Sequence, residues 1–558
     1  MRDRARDYTI LLAVSAALTL PNLGAVSLWD MDEAVNAQAA REMRDANTWV
    51  IPTFNYQLRT AKPVMLYWLQ RVSYAAFGVN EWSARLPSVL ASWLIVLLTY
   101  ELARRMFGRS TGLLAGVVLA SVSHFAILAH AATPDATLLM FTVLTYFVFW
   151  IYHRDNSRAW WIPTAAACGL AMLTKGPVGV ALPGVVIALY FAWNRELGRL
   201  LDRRVFLATV VFIFVAIPWY AMVASETRGE WLWAFFGHEN VTRYLSTMEG
   251  HRGGVWFYPA TITLLFLPWS AFLLAALWYG VKATRGTVGE PRGSSPWASG
   301  ETSHALSDSV RAHRFLVCWA VAYLVFFTVA ATKLPNYVFP IYPALAILTA
   351  RFLIAWRNAE ITVPRWLMPA GVAGLVATGI GVAGGMVFAD RMFPGLGPWA
   401  LLGLVPVIGG IATGWYLRQE NRDAAILAMS AAAVVFVGLL LVRPPGIVEQ
   451  QRAPRELVRA SGLNDPTRDV RVATFGWFEP SVVFYTGREV GRLDSPKAVG
   501  EFLAVPTPGY VFVSAKVWDE VSPALPPSSR VVARRYDFLK KCEVVVVTNA
   551  PSADVATR

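Results

Sequence analysis

The residues in this 558-residue sequence that invite chemistry are a few acids and bases lodged beside long apolar runs. The stretch SLWDMDEAVNAQAAREMRD, residues 27 to 45, sets five carboxylates against a segment that otherwise reads as membrane. Asp30 followed by Glu33 fits the spacing of a capping box, and acids in a first helical turn favour the positive end of the dipole. Glu42 and Asp45, interleaved with Arg41 and Arg44, read as a solvated face. Asp32 has no such job. At the outer end of the first apolar run, beside Trp29 and Glu33, a surplus acid is costly unless it meets a cation or a reacting group. Asp135, in HAATPDATLL, is a second acid of this kind, with a helix cap after Pro134 as its structural alternative.

The bases are as informative. A polytopic protein keeps Lys and Arg mostly on the cytoplasmic side, yet outer loops and outer helix ends here carry Arg59, Lys62, Lys175, Arg243, Arg252 and Lys333. Several adjoin Pro or Gly, where helices start or break, and there cations and free backbone N–H groups converge readily on phosphate oxygens. The plain alternative for any one of them is snorkelling to headgroups. For Lys62, Arg243 and Lys333 together the phosphate reading is favoured. Tyr337, four residues after Lys333, either joins that site or anchors a helix end at the interface. His238, Glu239 and His251 share an outer loop, but their spacing matches no metal motif, so no metal ligand is assigned.

The elements that must position these side chains are membrane helices. Hydrophobic residues make up 56% of the chain and charged ones 16%, against about a quarter charged in soluble domains. Apolar runs of about 20 residues, enough to cross a ~30 Å hydrocarbon core, fall at 8–28, 83–106, 110–130, 136–152, 159–174, 177–194, 204–224, 254–281, 313–331, 335–356, 364–388, 398–417 and 423–442. The expectation is a membrane all-α bundle of about thirteen transmembrane helices. No small-residue cleavage site follows the first run, which therefore reads as a retained helix. The net charge of +13 sits in short loops at alternate ends of successive runs, a membrane pattern rather than a nucleic-acid one. It puts the N-terminus in the cytoplasm, and thirteen spans put the C-terminal part outside. The three cysteines are scattered and imply no disulfide framework.

Three pieces lie outside the spans. Outer loop 29–81 shows helical periodicity in DEAVNAQAAREMRD and in KPVMLYWLQRVSYAAFG, and the aromatic EWLWAFFGHE in loop 225–253 reads as a helix lying on the membrane. Residues 282–312, rich in Gly, Ser and Thr, read as a flexible loop. Residues 443–558 carry β-branched and aromatic runs, RVATFGW, SVVFYTG, GYVFVSA and CEVVVVTN, between helical RELVRAS and PKAVGEFL. They read as a small α/β domain. The division is thus 1–442, a transmembrane domain with interfacial helices in its outer loops, and 443–558, a periplasmic α/β domain.

With DMDEA after the first span, AKPVMLYW in the first outer loop, TPDATL, MLTKGPVGVALP and TKLPNYVFPIYPALA, the chain resembles the polyprenyl-phosphate-dependent glycosyltransferases of the GT-C superfamily, of the bacterial protein-mannosyltransferase-like kind. The likeness covers nearly all of residues 1–345. Within the superfamily it is most similar to the 4-amino-4-deoxy-L-arabinose lipid A transferases. Two positions depart from the pattern: Ala61 stands where this family often has Glu, and DEAVNA replaces the commoner DE.RY form.

The resemblance implies a GT-C fold and an inverting transfer of the aminosugar from undecaprenyl phosphate to lipid A phosphate in a bacterial inner membrane. The alternative acceptor is a protein or glycan hydroxyl. Asp32 and Glu33 would form the active-site acidic motif, Asp135 the second essential acid, and Lys62, Arg59, Arg243, Lys333 and Tyr337 would handle the lipid-linked phosphate. It implies no metal or other cofactor, a monomer, and as partners the lipid-linked donor, lipid A and the membrane. A lipid or solute transporter is the rival class, but the sequence shows no convincing internal repeat, and its ionisable residues gather at one face rather than at mid-membrane.

Overall fold

A backbone crossing hydrocarbon must satisfy its own N–H and C=O groups, so the apolar runs fold as helices. The computed structural model describes residues 2–154, 161–246, 253–286, 301–465 and 467–551. Among them eight helices are long and apolar enough to cross a membrane, or up to ten spans if two bent pairs each count once. Val178–Trp193 is a shorter apolar helix, and Trp161–Lys175 has 15 residues. The thirteen runs of the sequence therefore include segments that are too short or too bent to pass as straight spans.

The bends have an identifiable cause. Arg109–Ala120 and Ser123–Ala129 meet at 66°, and Phe257–Leu265 and Ser270–Ala283 at 120°. A break frees backbone groups that must find partners, and here the two breaks serve one another. Ser123 donates from its backbone N–H (2.9 Å) and its Oγ (3.0 Å) to the carbonyl of Leu267. Trp269 Nε1 in turn donates to Ser121 Oγ at 2.9 Å.

The chain divides into two compact units. Residues 1–21, 60–66 and 87–442 form a helical unit; residues 22–59, 67–86 and 443–558 form a mixed one. The first outer loop is thus split, and most of it groups with the C-terminal segment rather than with the bundle. In the helical unit small residues let backbones touch, as membrane packing favours. A Cβ placed on Gly379 would lie 2.3 Å from the carbonyl oxygen of Gly403.

In the mixed unit, a five-stranded sheet has the order β4-β3-β5-β7-β6. Its strands are β3 (Arg471–Phe475), β4 (Val490–Arg492), β5 (Gly509–Ser514), β6 (Arg530–Asp537) and β7 (Cys542–Thr548). The β3–β4 and β3–β5 pairs are parallel; β5–β7 and β6–β7 are antiparallel. Alternate residues of the strands supply two cores: Val472, Tyr510, Phe512, Val544 and Val546 on one face, Ala473, Val511, Val513, Val545 and Val547 on the other. The edge strand β6, RVVARRYD, carries three arginines, a usual protection against edge pairing.

Three sequence expectations are corrected here. SVVFYTG is not a strand: Pro480–Thr486 is a helix, with Pro480 in its first turn and Gly487 in the left-handed region just past its end. Segment 282–312 is not a loop throughout, because the helix Glu301–Val329 occupies its end, while 287–300 lie outside the described residues. Glu42 is not solvated. It is 4% exposed and organises the hairpin of β1 (Thr53–Phe54) and β2 (Gln57–Leu58), accepting from Thr53 Oγ1 (2.7 Å) and from the N–H groups of Asn55 (2.8 Å) and Tyr56 (3.1 Å). Asn55 and Tyr56 both have positive φ, as a two-residue hairpin loop requires.

Candidate active site

The DMDEA stretch, in the mixed unit, forms a π-helical turn, Asp30–Ala34, leading into the helix Val35–Asp45. The Trp29 carbonyl accepts from the N–H groups of both Glu33 (2.8 Å) and Ala34 (3.0 Å). Asp30 is not the cap its spacing suggested: Trp29 holds that position, and no side chain caps there. Asp30 is instead buried, with Oδ2 2.5 Å from Arg452 Nη2 and Oδ1 accepting the Ser481 N–H at 3.0 Å.

Glu33 is buried too, and its carboxylate is fully engaged. Oε1 and Oε2 accept from Nε and Nη2 of Arg85, both at 2.8 Å, and Oε2 also accepts the Trp29 N–H at 2.8 Å. Arg85 meanwhile donates to the carbonyls of Leu23, Val26 and Ser27. Asp32 is the exposed acid of the motif, its backbone carbonyl accepting from Asn36 Nδ2. Arg59 donates to Asn36 Oδ1 (3.0 Å) and Tyr67 Oη (2.8 Å), so it supports the same helix face.

In the helical unit the second acid has its own partners. Pro134 and Asp135 open the helix Pro134–Arg154, where proline suits a first turn. The TKGP motif ends another: Lys175 closes Trp161–Lys175, and Gly176 follows at φ +78° with its N–H on the Met172 carbonyl. That is the ordinary helix stop. It leaves Lys175 Nζ 2.5 Å from Asp135 Oδ1, while Asn336 Nδ2 donates to Oδ2 at 3.1 Å. Lys175 also stands 5.7 Å from the centre of the Tyr337 ring, which packs on Phe327. Lys62 adds its charge to the surroundings of Asp135. Asp135, Lys175, Asn336, Tyr337 and Lys62 therefore form one group.

Lys333 and Arg243 are engaged elsewhere in the same unit. The Lys333 ammonium donates to the carbonyls of Thr328 (2.7 Å), Ala330 (2.7 Å) and Phe327 (3.4 Å) at the end of Glu301–Val329, and lies 5.7 Å from the Tyr258 ring centre. Burial holds its pKa below the usual lysine value. It caps a helix and so fixes the start of the segment that carries Asn336 and Tyr337. Arg243 follows a second π-helix, Ala234–Thr242, and pairs with Glu239 at 3.2 Å. His238 Nδ1 is 3.5 Å from Glu239; His251 and Arg252 lie outside the described residues. Among the described residues no group of three or more His, Cys, Asp or Glu is arranged to hold a metal.

Sequence reasoning missed Arg85, Arg452 and Asn336. A signal existed for the first, since a charged residue within an apolar run is a functional candidate by default. Arg452, in an ordinary polar stretch, carried none.

Similarity to known proteins bears on the kind of protein this chain is. Residues 61–221 match the family model described as dolichyl-phosphate-mannose-protein mannosyltransferase. The crystal structure of ArnT from Cupriavidus metallidurans bound to undecaprenyl phosphate superposes with a TM-score of 0.77 over 99% of both chains at 24% identity. An archaeal oligosaccharyltransferase from Archaeoglobus fulgidus shares the fold more distantly, with a TM-score of 0.52 over 93% of this chain and 72% of its own, at 13% identity. Fold and family match, together with the relatives described next, define a membrane glycosyltransferase of the GT-C class, one that uses a lipid-linked sugar.

The undecaprenyl phosphate-α-4-amino-4-deoxy-L-arabinose arabinosyl transferase of Pseudomonas aeruginosa is 30% identical over 83% of this chain and 80% of its own. That of Pseudomonas savastanoi is 29% identical over 80% and 78%. The chain belongs to this arabinosyl transferase family.

Proposed function

We propose that this chain transfers 4-amino-4-deoxy-L-arabinose from undecaprenyl phosphate to a phosphate of lipid A at the periplasmic face of a bacterial inner membrane. The observation that carries the reading is the 30% identity, over most of both chains, to a transferase named for that donor sugar and lipid. The acidic motif and the Asp135 group give it a chemical basis. In this reading the chain crosses the membrane thirteen times as a monomer, with its N-terminus cytoplasmic and residues 443–558 forming a periplasmic domain.

In an inverting transfer an oxygen of the acceptor phosphate bonds to the anomeric carbon from the face opposite the donor. The bond from that carbon to the donor phosphate oxygen breaks, and its electron pair stays on undecaprenyl phosphate. Charge therefore grows on the departing phosphate, and preorganised cations are the largest aid a protein can give it. Lys62, Lys175 and Arg243 supply that charge. Lys333, through its helix cap, holds Tyr337 and Asn336 in place. Asp135 orients Lys175 or pairs with the sugar's amine. The acceptor phosphate is already ionised and needs little general-base help, so Asp32 chiefly orients the acceptor or the amine. Glu33, saturated by Arg85, shapes the motif, and Arg59 steadies the helix behind it.

The test is to incubate the purified enzyme with sugar-charged undecaprenyl phosphate and lipid A and analyse the lipids by mass spectrometry. The expected result is free undecaprenyl phosphate together with lipid A carrying an added aminopentose on phosphate. Donor consumption with sugar on a hydroxyl would replace the acceptor, and no release of undecaprenyl phosphate would sink the reading.

A further inference from the structure

The C-terminal segment holds the acidic motif through side chains that the transfer itself does not use. Arg452, 2% exposed, donates from Nη1 to Ser27 Oγ (2.6 Å) and the Ser27 carbonyl (3.3 Å), and from Nη2 to the Leu28 carbonyl (2.9 Å) and Asp30 Oδ2 (2.5 Å). Its guanidinium carbon lies 5.0 Å from the Trp29 ring centre. One side chain thus engages four consecutive residues immediately before Met31 and Asp32. Two further contacts come from the helix Pro480–Thr486: the Leu28 N–H donates to the Tyr485 hydroxyl at 2.9 Å, and the Ser481 N–H to Asp30 at 3.0 Å. All of these residues belong to the mixed unit.

Stability alone is a poor reason for this arrangement. A buried ion pair often adds no more than well-packed apolar residues would, because desolvation offsets the attraction. What a guanidinium adds is a rigid fork of donors that fixes the relative position of several acceptors at once. Here the acceptors are the backbone leading into a π-helical turn. Such turns are rare, concentrate at functional sites, and persist where surrounding contacts over-determine them. Asp32 is an exposed residue of this turn, so the turn's backbone sets the direction from which its carboxylate leaves the chain.

We propose that Arg452 is the positioning residue of the acidic motif: by gripping Ser27 to Asp30 it fixes the π-helical turn and with it the aim of Asp32. The effect on transfer rests on the proposed role of Asp32; the grip on the motif does not.

The experiment compares wild-type enzyme with Arg452→Lys, Arg452→Met and Arg452→Met/Asp30→Asn. It measures kcat and KM per folded molecule, melting temperature, and amide hydrogen exchange of residues 28–35. Lysine keeps the charge but cannot bridge the acceptors, so Arg452→Lys, the variant most certain to fold, should lower kcat about 10²-fold, the scale of a 1 Å misplacement. KM for the lipid donor should stay within twofold, and amides 28–35 should exchange at least tenfold faster while those of β5 do not change. The double variant removes the unpaired buried carboxylate, so its melting temperature should recover toward wild type while kcat does not. Wild-type exchange at 28–35 in Arg452→Lys and Arg452→Met would overturn the proposal. So would wild-type kcat per folded molecule, or kcat that returns together with the melting temperature. A wild-type enzyme that releases no undecaprenyl phosphate would refute the transferase reading instead, and the exchange data would still decide whether Arg452 holds the turn.

Discussion

The acidic motif of the mixed unit and the Asp135 group of the helical unit hold their acids in opposite ways. In the mixed unit Asp30 and Glu33 face arginines that are themselves buried, and each guanidinium also gathers backbone carbonyls, two residues' worth for Arg452 and three for Arg85. In the helical unit Asp135 faces Lys175, whose side chain is 18% exposed, with the neutral amide of Asn336 as its other partner. A guanidinium fork specifies shape. An ammonium on a flexible stem is a point charge that can turn from a carboxylate to a phosphate at small cost. The difference sets acids locked in a guanidinium frame apart from an acid that faces a point charge, and Asp32 is the one acid of its motif left exposed.

The largest effect should come from that residue. Asp32→Asn keeps the shape of the side chain and removes its charge, and kcat should fall between about 10² and 10⁴-fold, within what losing the orientation of a reacting group can cost. Release of undecaprenyl phosphate is the readout. Full activity in Asp32→Asn would erase the contrast between Asp32 and its buried neighbours.

Next come the cations of the other unit. Lys175→Met strips the charge facing Asp135, and a loss of about 10² to 10³-fold in kcat is expected where a group stabilises developing charge. Lys175→Arg sharpens the comparison. If the ammonium acts as a mobile point charge, the bulkier planar group should not restore more than a small part of the rate. Full rescue by arginine would mean that both units use their cations alike.

For Glu33 the expected loss is in folding rather than chemistry. Glu33→Gln leaves the Arg85 guanidinium buried without a counter-charge, and breaking such a pair costs about 3–5 kcal/mol. The melting temperature should drop while kcat per folded molecule changes far less than in Asp32→Asn. If the rate falls as far as it does in Asp32→Asn without loss of stability, Glu33 belongs with the chemistry.

How much of this the sequence disclosed follows the range of the forces involved. Strands β3, β5 and β7 lie within RVATFGW, GYVFVSA and CEVVVVTN, because a β-branched and aromatic run of five to seven residues is a local signal. SVVFYTG has the same composition yet is helical, since Pro480 starts a helix there and Asp30, 451 residues away, takes up the Ser481 N–H. Asp32 stood out because nothing local accounted for it. Arg452 did not, because its partners lie more than 400 residues distant and nothing in QRAPRE distinguishes it. The helix bends at 121–122 and 266–269 were equally hidden, since hydropathy records that a run is apolar and not that it breaks to hydrogen-bond with another break.

The smallest expected effect concerns a buried acid near the motif whose salt-bridge partner is a lysine rather than an arginine. Glu479 is 2% exposed. Burial first, then the charges of Asp30 and Asp537, push its carboxyl from the ordinary 4.5 up to about 8, while Lys540 at 3.4 Å pulls the other way. The folded state therefore keeps a proton that the unfolded chain has released. The stabilisation this brings is complete below pH 4.5 and is lost as the pH climbs through about 8. Melting temperatures of the wild type should fall between pH 6 and 9, and Glu479→Gln, a permanent analogue of the protonated form, should flatten that slope. An undiminished pH dependence in Glu479→Gln would show that the slope does not come from Glu479, and the contrast would then lie between cation types alone.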